Sequence, residues 1–152
     1  MPVTQITFPV ARTVTRGPNL TAPDTLTLTY EDRFLRRKKL DTDSGAAILI
    51  DLKETTSLNQ GDVLETEHGG VMVMAAAEDL IEVRGHNLGR LAWHIGNRHT
   101  PCQIEHERIL IKHDHVIEDM LKLLGAEVKS VTEPFTPEGG AYGHGRTHGH
   151  EH

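Results

Sequence analysis

Polar and apolar residues alternate along the first half of the chain. Thr25-Leu26-Thr27-Leu28-Thr29-Tyr30 has a period of two and is rich in β-branched residues, which predicts a strand. Arg33 and the basic run Arg36-Arg37-Lys38-Lys39 lead into the turn cluster Asp41-Thr42-Asp43-Ser44-Gly45. The apolar run Ala46-Ala47-Ile48-Leu49-Ile50 follows, and together these predict a hairpin. Asn59-Gln60-Gly61-Asp62 predicts another turn, ahead of Val63-Leu64. Residues 1–75 therefore read as a small antiparallel β domain.

The pattern then changes. Val71-Met72-Val73-Met74-Ala75-Ala76 is a short apolar strand, Ala77-Glu78-Asp79 reads as a hinge, and Leu80-Ile81-Glu82-Val83-Arg84 as a further strand. Asn87 can cap a helix whose apolar positions Leu88, Leu91, Ala92 and Ile95 recur at i, i+3, i+4 and i+7. Gly96-Asn97 weakens its last turn, and Pro101 stops it. Gln103-Ile104 and Arg108-Ile109-Leu110-Ile111 predict strands on either side of a Glu105-His106-Glu107 turn. Asp114 caps a second helix with Val116, Ile117, Met120, Leu121 and Leu124 on its apolar face and Gly125 at its stop. Glu127-Val128-Lys129-Ser130-Val131 is the last strand. The order β-α-β-β-α-β is the ferredoxin-like arrangement, expected over residues 76–141, so the fold class is α+β. From Pro137 onward too few apolar groups remain to offset the cost of ordering the chain. Residues 142–152 read as a flexible His-rich tail.

Composition narrows the function. A length of 152 residues means one domain or two small ones, and 37% hydrophobic with 25% charged residues means a globular chain. The net charge of −6 argues against a nucleic-acid-binding surface. No apolar run is long enough to span a membrane, and no signal peptide is evident at the N-terminus, so a soluble cytoplasmic protein is expected. A single cysteine, Cys102, excludes an intrachain disulfide and a CxxC zinc site.

The unusual count is eleven histidines, ten of them at or after His86. Histidine is the commonest metal ligand, so metal handling is the leading chemistry. His144, His148, His150 and His152 fall in the last nine residues; the last three alternate, which places them on one side of an extended backbone. Imidazole suits nickel, copper, zinc and iron. His113 and His115 flank Asp114. In extended chain they share a face and could chelate together; if the helix has already begun they diverge, and Asp114 is simply a cap. His94 and His99 are five apart, about 140° around a helix, so they do not chelate as a pair from one helix. No nucleophile constellation stands out around Cys102. The basic run is either a solvated face or a contact for an acidic partner.

The stretch Trp93-His94-Ile95-Gly96-Asn97-Arg98-His99-Thr100-Pro101 resembles the GNRH segment of the UreE family of urease accessory proteins, the nickel metallochaperones. Asp32-Arg33 with Arg36-Arg37, Gly61-Asp62-Val63-Leu64, His113-Asp114-His115-Val116 and Pro134-Phe135-Thr136-Pro137-Glu138-Gly139-Gly140-Ala141-Tyr142 are similar to other family segments, in the same order. The likeness covers nearly the whole chain. It implies an N-terminal partner- or peptide-contacting domain and a ferredoxin-like domain that binds metal and dimerises.

The resemblance further implies that His99 meets its symmetry mate around one nickel ion at a homodimer interface, which supplies the second ligand that a lone histidine lacks. The tail histidines would complete the coordination, and His113 and His115 match a peripheral site. The implied cargo is Ni(II), with Zn(II) or Cu(II) at the same or peripheral sites. The implied partners are the urease apoprotein and its accessory proteins, including a GTPase. Copper outcompetes nickel at most nitrogen and oxygen sites, so selectivity would come from geometry and metal supply. Only neutral imidazole ligates, so binding should weaken in acid. The competing expectation is a histidine-based buffer or storage protein with no delivery partner. An enzyme is not expected, because no carboxylate is placed as a general base beside a metal-bound water.

Overall fold

A computed structural model describes residues 8–139. The chain divides into two compact units after Ala75. In the first, seven strands form: β1 (Val10–Ala11), β2 (Thr13–Thr15), β3 (Asp24–Leu28), β4 (Phe34–Asp41), β5 (Ala47–Ser57), β6 (Val63–Thr66) and β7 (Gly69–Ala75). They make two sheets, ordered β1-β5-β4 and β2-β6-β7-β3. The inward residues of both sheets, among them Leu26, Ile48, Ile50, Leu64 and Val73, form one buried cluster. The expected hairpin forms: Asp41 pairs with Ala47, and the Thr42 N–H donates to the Ala46 carbonyl at 2.7 Å. Gly45 takes a φ of 94° in that turn, a conformation that a Cβ would oppose.

The expectation of a purely antiparallel domain is corrected. β1 pairs with β5, and β3 with β7, in parallel. Parallel neighbours need a long crossover, and here the intervening strands supply it: the chain leaves β3, builds β4, β5 and β6, and returns as β7.

The second unit runs β8 (Ala77–Arg84), α1 (Leu88–Asn97), β9 (Cys102–Ile104), β10 (Ile109–Lys112), α2 (His115–Leu123) and β11 (Glu127–Pro134). Its four strands are ordered β11-β8-β10-β9, all antiparallel. Leu91 and Ile95 of α1 and Ile117 and Leu121 of α2 pack against Ile81, Val83, Ile109 and Ile111 of the sheet. Both N-caps act as expected. Asn87 accepts from the Arg90 N–H at 3.0 Å, and Asp114 accepts from Val116 and Ile117 at 2.9 and 3.3 Å.

The expected hinge at 77–79 is also corrected. Ala77, Glu78 and Asp79 are strand residues, paired with Pro134, Glu133 and Thr132. Because β11 extends to Pro134, their backbone groups have ladder partners, and Ala76 alone lies between β7 and β8. Strand alternation puts Glu82 and Arg108 on the face away from the helices. There Arg108 binds Glu133 through both terminal nitrogens, at 2.8 and 2.6 Å, and also Glu82 and Glu105. These bonds raise the Arg108 pKa and hold Glu133 below the usual carboxylate range, and Glu82 is lowered by the hydrogen bond from Arg84 together with that from Arg108.

Candidate metal centre

His99 lies immediately beyond the end of α1. The helix stops at Asn97, Arg98 is the C-cap, and His99 follows with a φ of 57°. Its backbone N–H donates to the Gly96 carbonyl at 2.9 Å, and the Thr100 N–H donates to Ile95 at 3.4 Å. This pair of bonds is the Schellman helix ending, whose left-handed position is normally glycine. An L residue there costs about 1–2 kcal/mol. Pro101 then prevents the helix from resuming and directs the chain into β9. The result is a half-buried histidine with a fixed backbone.

Surroundings favour a cation at this point. The last turn of a helix carries partial negative charge, worth about 0.3–1 kcal/mol to a cation at its end. Arg98 Nε donates to Met120 Sδ at 3.1 Å, which ties the end of α1 to α2. A shallow groove of about 520 Å³ lies between the helices, lined by residues that include His94, Asn97, Asp119 and Met120. The His94 ring stands edge-on to Trp93, with centroids 5.0 Å apart. Large apolar side chains are exposed on the same two helices: Trp93 at 64%, Val116 at 52% and Leu123 at 88%. Val116 and Leu123 are both lining residues of the groove.

His113 and His115 are separated by one extended residue, Asp114, with φ −150° and ψ 110°. Both are exposed, and α2 begins at His115 itself. Asp114 is occupied in capping. A cation here would sit at the positive end of the α2 dipole, which opposes it. The helix-terminus electrostatics therefore separate the two histidine sites: α1 presents its negative end to His99, and α2 its positive end to His115.

Among the described residues no group of three or more His, Cys, Asp or Glu side chains is gathered to hold a metal ion. His99 belongs to no such group among the described residues, so the donor set there fits a metal only when other ligands join it. His144, His148, His150 and His152 lie outside the described residues. The segment leading to them is fixed: Thr136 N–H donates to Gln103 Oε1, and Glu138 N–H to the Cys102 carbonyl, each at 2.8 Å. Phe135 beside it is fully buried. The chain thus sets out toward its C-terminus from the edge of β9, whose first residue is three positions after His99. Burial and the nearby Glu138 carboxylate push the Cys102 thiol pKa up, which disfavours the free thiolate.

Sequence reasoning missed the left-handed backbone at His99 and the anchoring role of Gln103. No glycine marks the first; Pro101, shortly after the helix end, was its one local signal. The second joins residues distant in sequence and has no local signal.

Two family models cover the described chain: the N-terminal domain of the UreE urease accessory protein matches residues 8–77, and its C-terminal domain matches residues 78–152. A urease accessory protein UreE from Ruegeria pomeroyi is 60% identical over 147 residues, covering 95% of this chain and 99% of the relative. One from Cereibacter sphaeroides is 52% identical, covering 95% and 81%. One from Rhizobium meliloti is 50% identical, covering 88% of each. With both domain models matched in order and relatives this similar along their length, the chain belongs to the UreE family of urease accessory proteins.

Proposed function

We propose that this protein is a nickel metallochaperone for urease maturation. Two copies associate through the exposed faces of α1 and α2, and His99 from each holds one Ni(II) ion on the two-fold axis. Tail histidines, from His144, His148, His150 and His152, add ligands from a starting point beside β9. His113 and His115 form at most a weaker peripheral site. The observation that carries this reading is His99 itself: a half-buried imidazole on a strained, fixed backbone at the negative end of a helix.

The chemistry is capture and release. Imidazole nitrogens are borderline donors that suit Ni(II), Zn(II) and Cu(II), and they exchange more readily than a closed thiolate cage. Ligands shared between two chains and a tail can be withdrawn one at a time, which suits handing an ion to the urease apoprotein and its accessory GTPase. The protein carries the metal as cargo and performs no catalysis. The strand order β11-β8-β10-β9 supports reading residues 76–141 as a ferredoxin-like metal-binding and dimerising domain, and the first unit as the partner-contacting one.

The four histidines in the last nine residues favour a second reading, a buffer or storage protein whose metal is held by the tail. Native mass spectrometry with nickel separates the two. Loss of the tight ion in His99→Ala supports the chaperone site. Loss on removing residues 143–152, with no change in His99→Ala, supports storage.

A further inference from the structure

We infer that the outward face of β4 and β5 docks an extended, acidic segment of a partner protein. β4 is the outer strand of its sheet, so its far edge has no strand neighbour among the described residues. That edge is nevertheless protected. Lys38 sits opposite buried Ile50, on the inward side, yet is exposed, and the register shifts between Leu35 and Arg37. An inward-pointing lysine and a bulge both oppose strand addition. Recognition on this strand therefore falls to side chains.

On the outward side, Arg37 faces Asp51 across the ladder and Lys39 faces Leu49; alternation adds Lys53. Arg36 and Arg37 approach the same Asp51 carboxylate, at 3.7 and 3.8 Å. One carboxylate thus orients two guanidinium groups while leaving most of their N–H donors for another acceptor. Arg36 also donates to the Leu52 carbonyl at 3.3 Å, and the Lys39 ammonium lies 4.0 Å above the Phe8 ring. These contacts hold the cations in place before any ligand arrives, which lowers the entropy cost of binding.

Beside Lys39 runs a half-buried apolar strip, Leu49 and then Val10 on the neighbouring strand. Among the described residues of β4 and β5, the carboxylates on this face are Asp51 and, at the end of β4, Asp41, so the patch is positive in a chain whose net charge is −6. Arg37 and Lys39 are two strand residues apart, about 6.6 Å. Carboxylates at alternate positions of an extended segment match that spacing, with intervening side chains available to the apolar strip. The acidity of the whole chain opposes a polyanion such as nucleic acid, which favours a protein segment. The binding chemistry stands on this surface; its place in urease maturation rests on the partner-contacting reading of the first unit.

The probe is a short labelled peptide of alternating glutamate and alanine, titrated into the full-length protein by fluorescence anisotropy. The glutamate peptide is expected to bind, its glutamine counterpart not to bind, and affinity to fall as salt rises. Arg37→Glu with Lys39→Glu should weaken binding at least about tenfold, and the milder Arg37→Gln with Lys39→Gln by an intermediate factor. Lys129→Gln, on the second unit, should cost little. The fold, read by circular dichroism, and nickel stoichiometry should be retained throughout. Absence of peptide binding, equal binding by the charge-reversed protein, a loss in the Lys129 variant equal to that of Arg37→Gln with Lys39→Gln, or tighter binding of a duplex oligonucleotide would overturn the inference. Co-purification with the apo-urease complex tests the other reading. If the charge-reversed protein loses the peptide but keeps the complex, the surface chemistry stands and the partner-contacting role of the first unit fails.

Discussion

His99 occupies at the end of α1 the place that Gly125 occupies at the end of α2. Both follow a C-cap, with φ values of 57° and 85°. Both donate a backbone N–H to the carbonyl three residues back, and the next residue in each case donates to the carbonyl five residues behind it. The protein ends one helix with the residue that the geometry favours, and the other with an imidazole that the geometry penalises.

His99→Gly and His99→Ala should therefore separate folding from metal binding. Alanine keeps the left-handed strain, whereas glycine relieves it at some entropic cost in the unfolded chain. His99→Gly should be more stable than His99→Ala by roughly 1 kcal/mol. Neither should hold nickel tightly. Paired denaturant melts and nickel titrations check this, and equal stability of the two variants would contradict the strain argument.

The Arg108 network predicts an acid-sensitive contribution to stability. Glu82 and Glu133 have folded-state pKa values lowered from 4.5 by hydrogen bonds from Arg84 and Arg108 and from Arg108, respectively. A lowered carboxylate pKa contributes stability that is complete above the unfolded value and is lost as pH falls through the folded one. Arg108→Met should cost about 1–3 kcal/mol near neutral pH, since the group is partly exposed, and the gap from wild type should narrow below about pH 4.5. Thermal melts across pH measure this; a gap that stays constant into acid would count against it.

Asp62 behaves in the opposite sense. Burial raises its pKa from 3.8, against the lowering effect of the Asn59 N–H and Arg16. A raised carboxylate pKa means the folded state is penalised once the group ionises, as pH climbs through the unfolded value. Asp62→Asn keeps an acceptor for the Asn59 N–H and removes the buried charge. It should be neutral or stabilising at pH 7, by up to about 1 kcal/mol, and this advantage should vanish at low pH. A large loss of stability at pH 7 would show that the Arg16 pair dominates.

The exposed apolar face makes a prediction about assembly. Leu123 is 88% exposed, so Leu123→Asp should leave the fold of one chain unchanged. If α1 and α2 form the two-fold interface, the variant should run as a monomer in light-scattering chromatography and bind nickel more weakly, because the second His99 is lost. A variant that remains dimeric would place the interface elsewhere.

Much of the second unit was legible because its signals are local. Asn87 and Asp114 cap through bonds to residues two or three positions on, and Gly125 marks its helix end by its own backbone freedom. Strand pairing in the first unit was less legible. The partner of β3 is β7, four strands later, and nothing in Asp24-Thr25-Leu26-Thr27-Leu28 specifies a parallel neighbour. The candidate site was half legible. Histidine spacing singled out His113 and His115 as candidates and offered His99 no chelating mate, and the left-handed backbone at His99 has no signature in the sequence. Ala77, Glu78 and Asp79 were misplaced because a polar, alanine-rich opening gives no hint that β11 runs far enough to pair with it.

The most direct test is native mass spectrometry of the nickel-loaded protein, wild type beside His99→Ala and beside a chain lacking residues 143–152. The account predicts a single tightly held nickel ion per dimer in the wild type. His99→Ala should abolish it, and truncation should leave it present but weaker. A His99→Ala dimer that retains the ion with unchanged affinity would contradict the central claim.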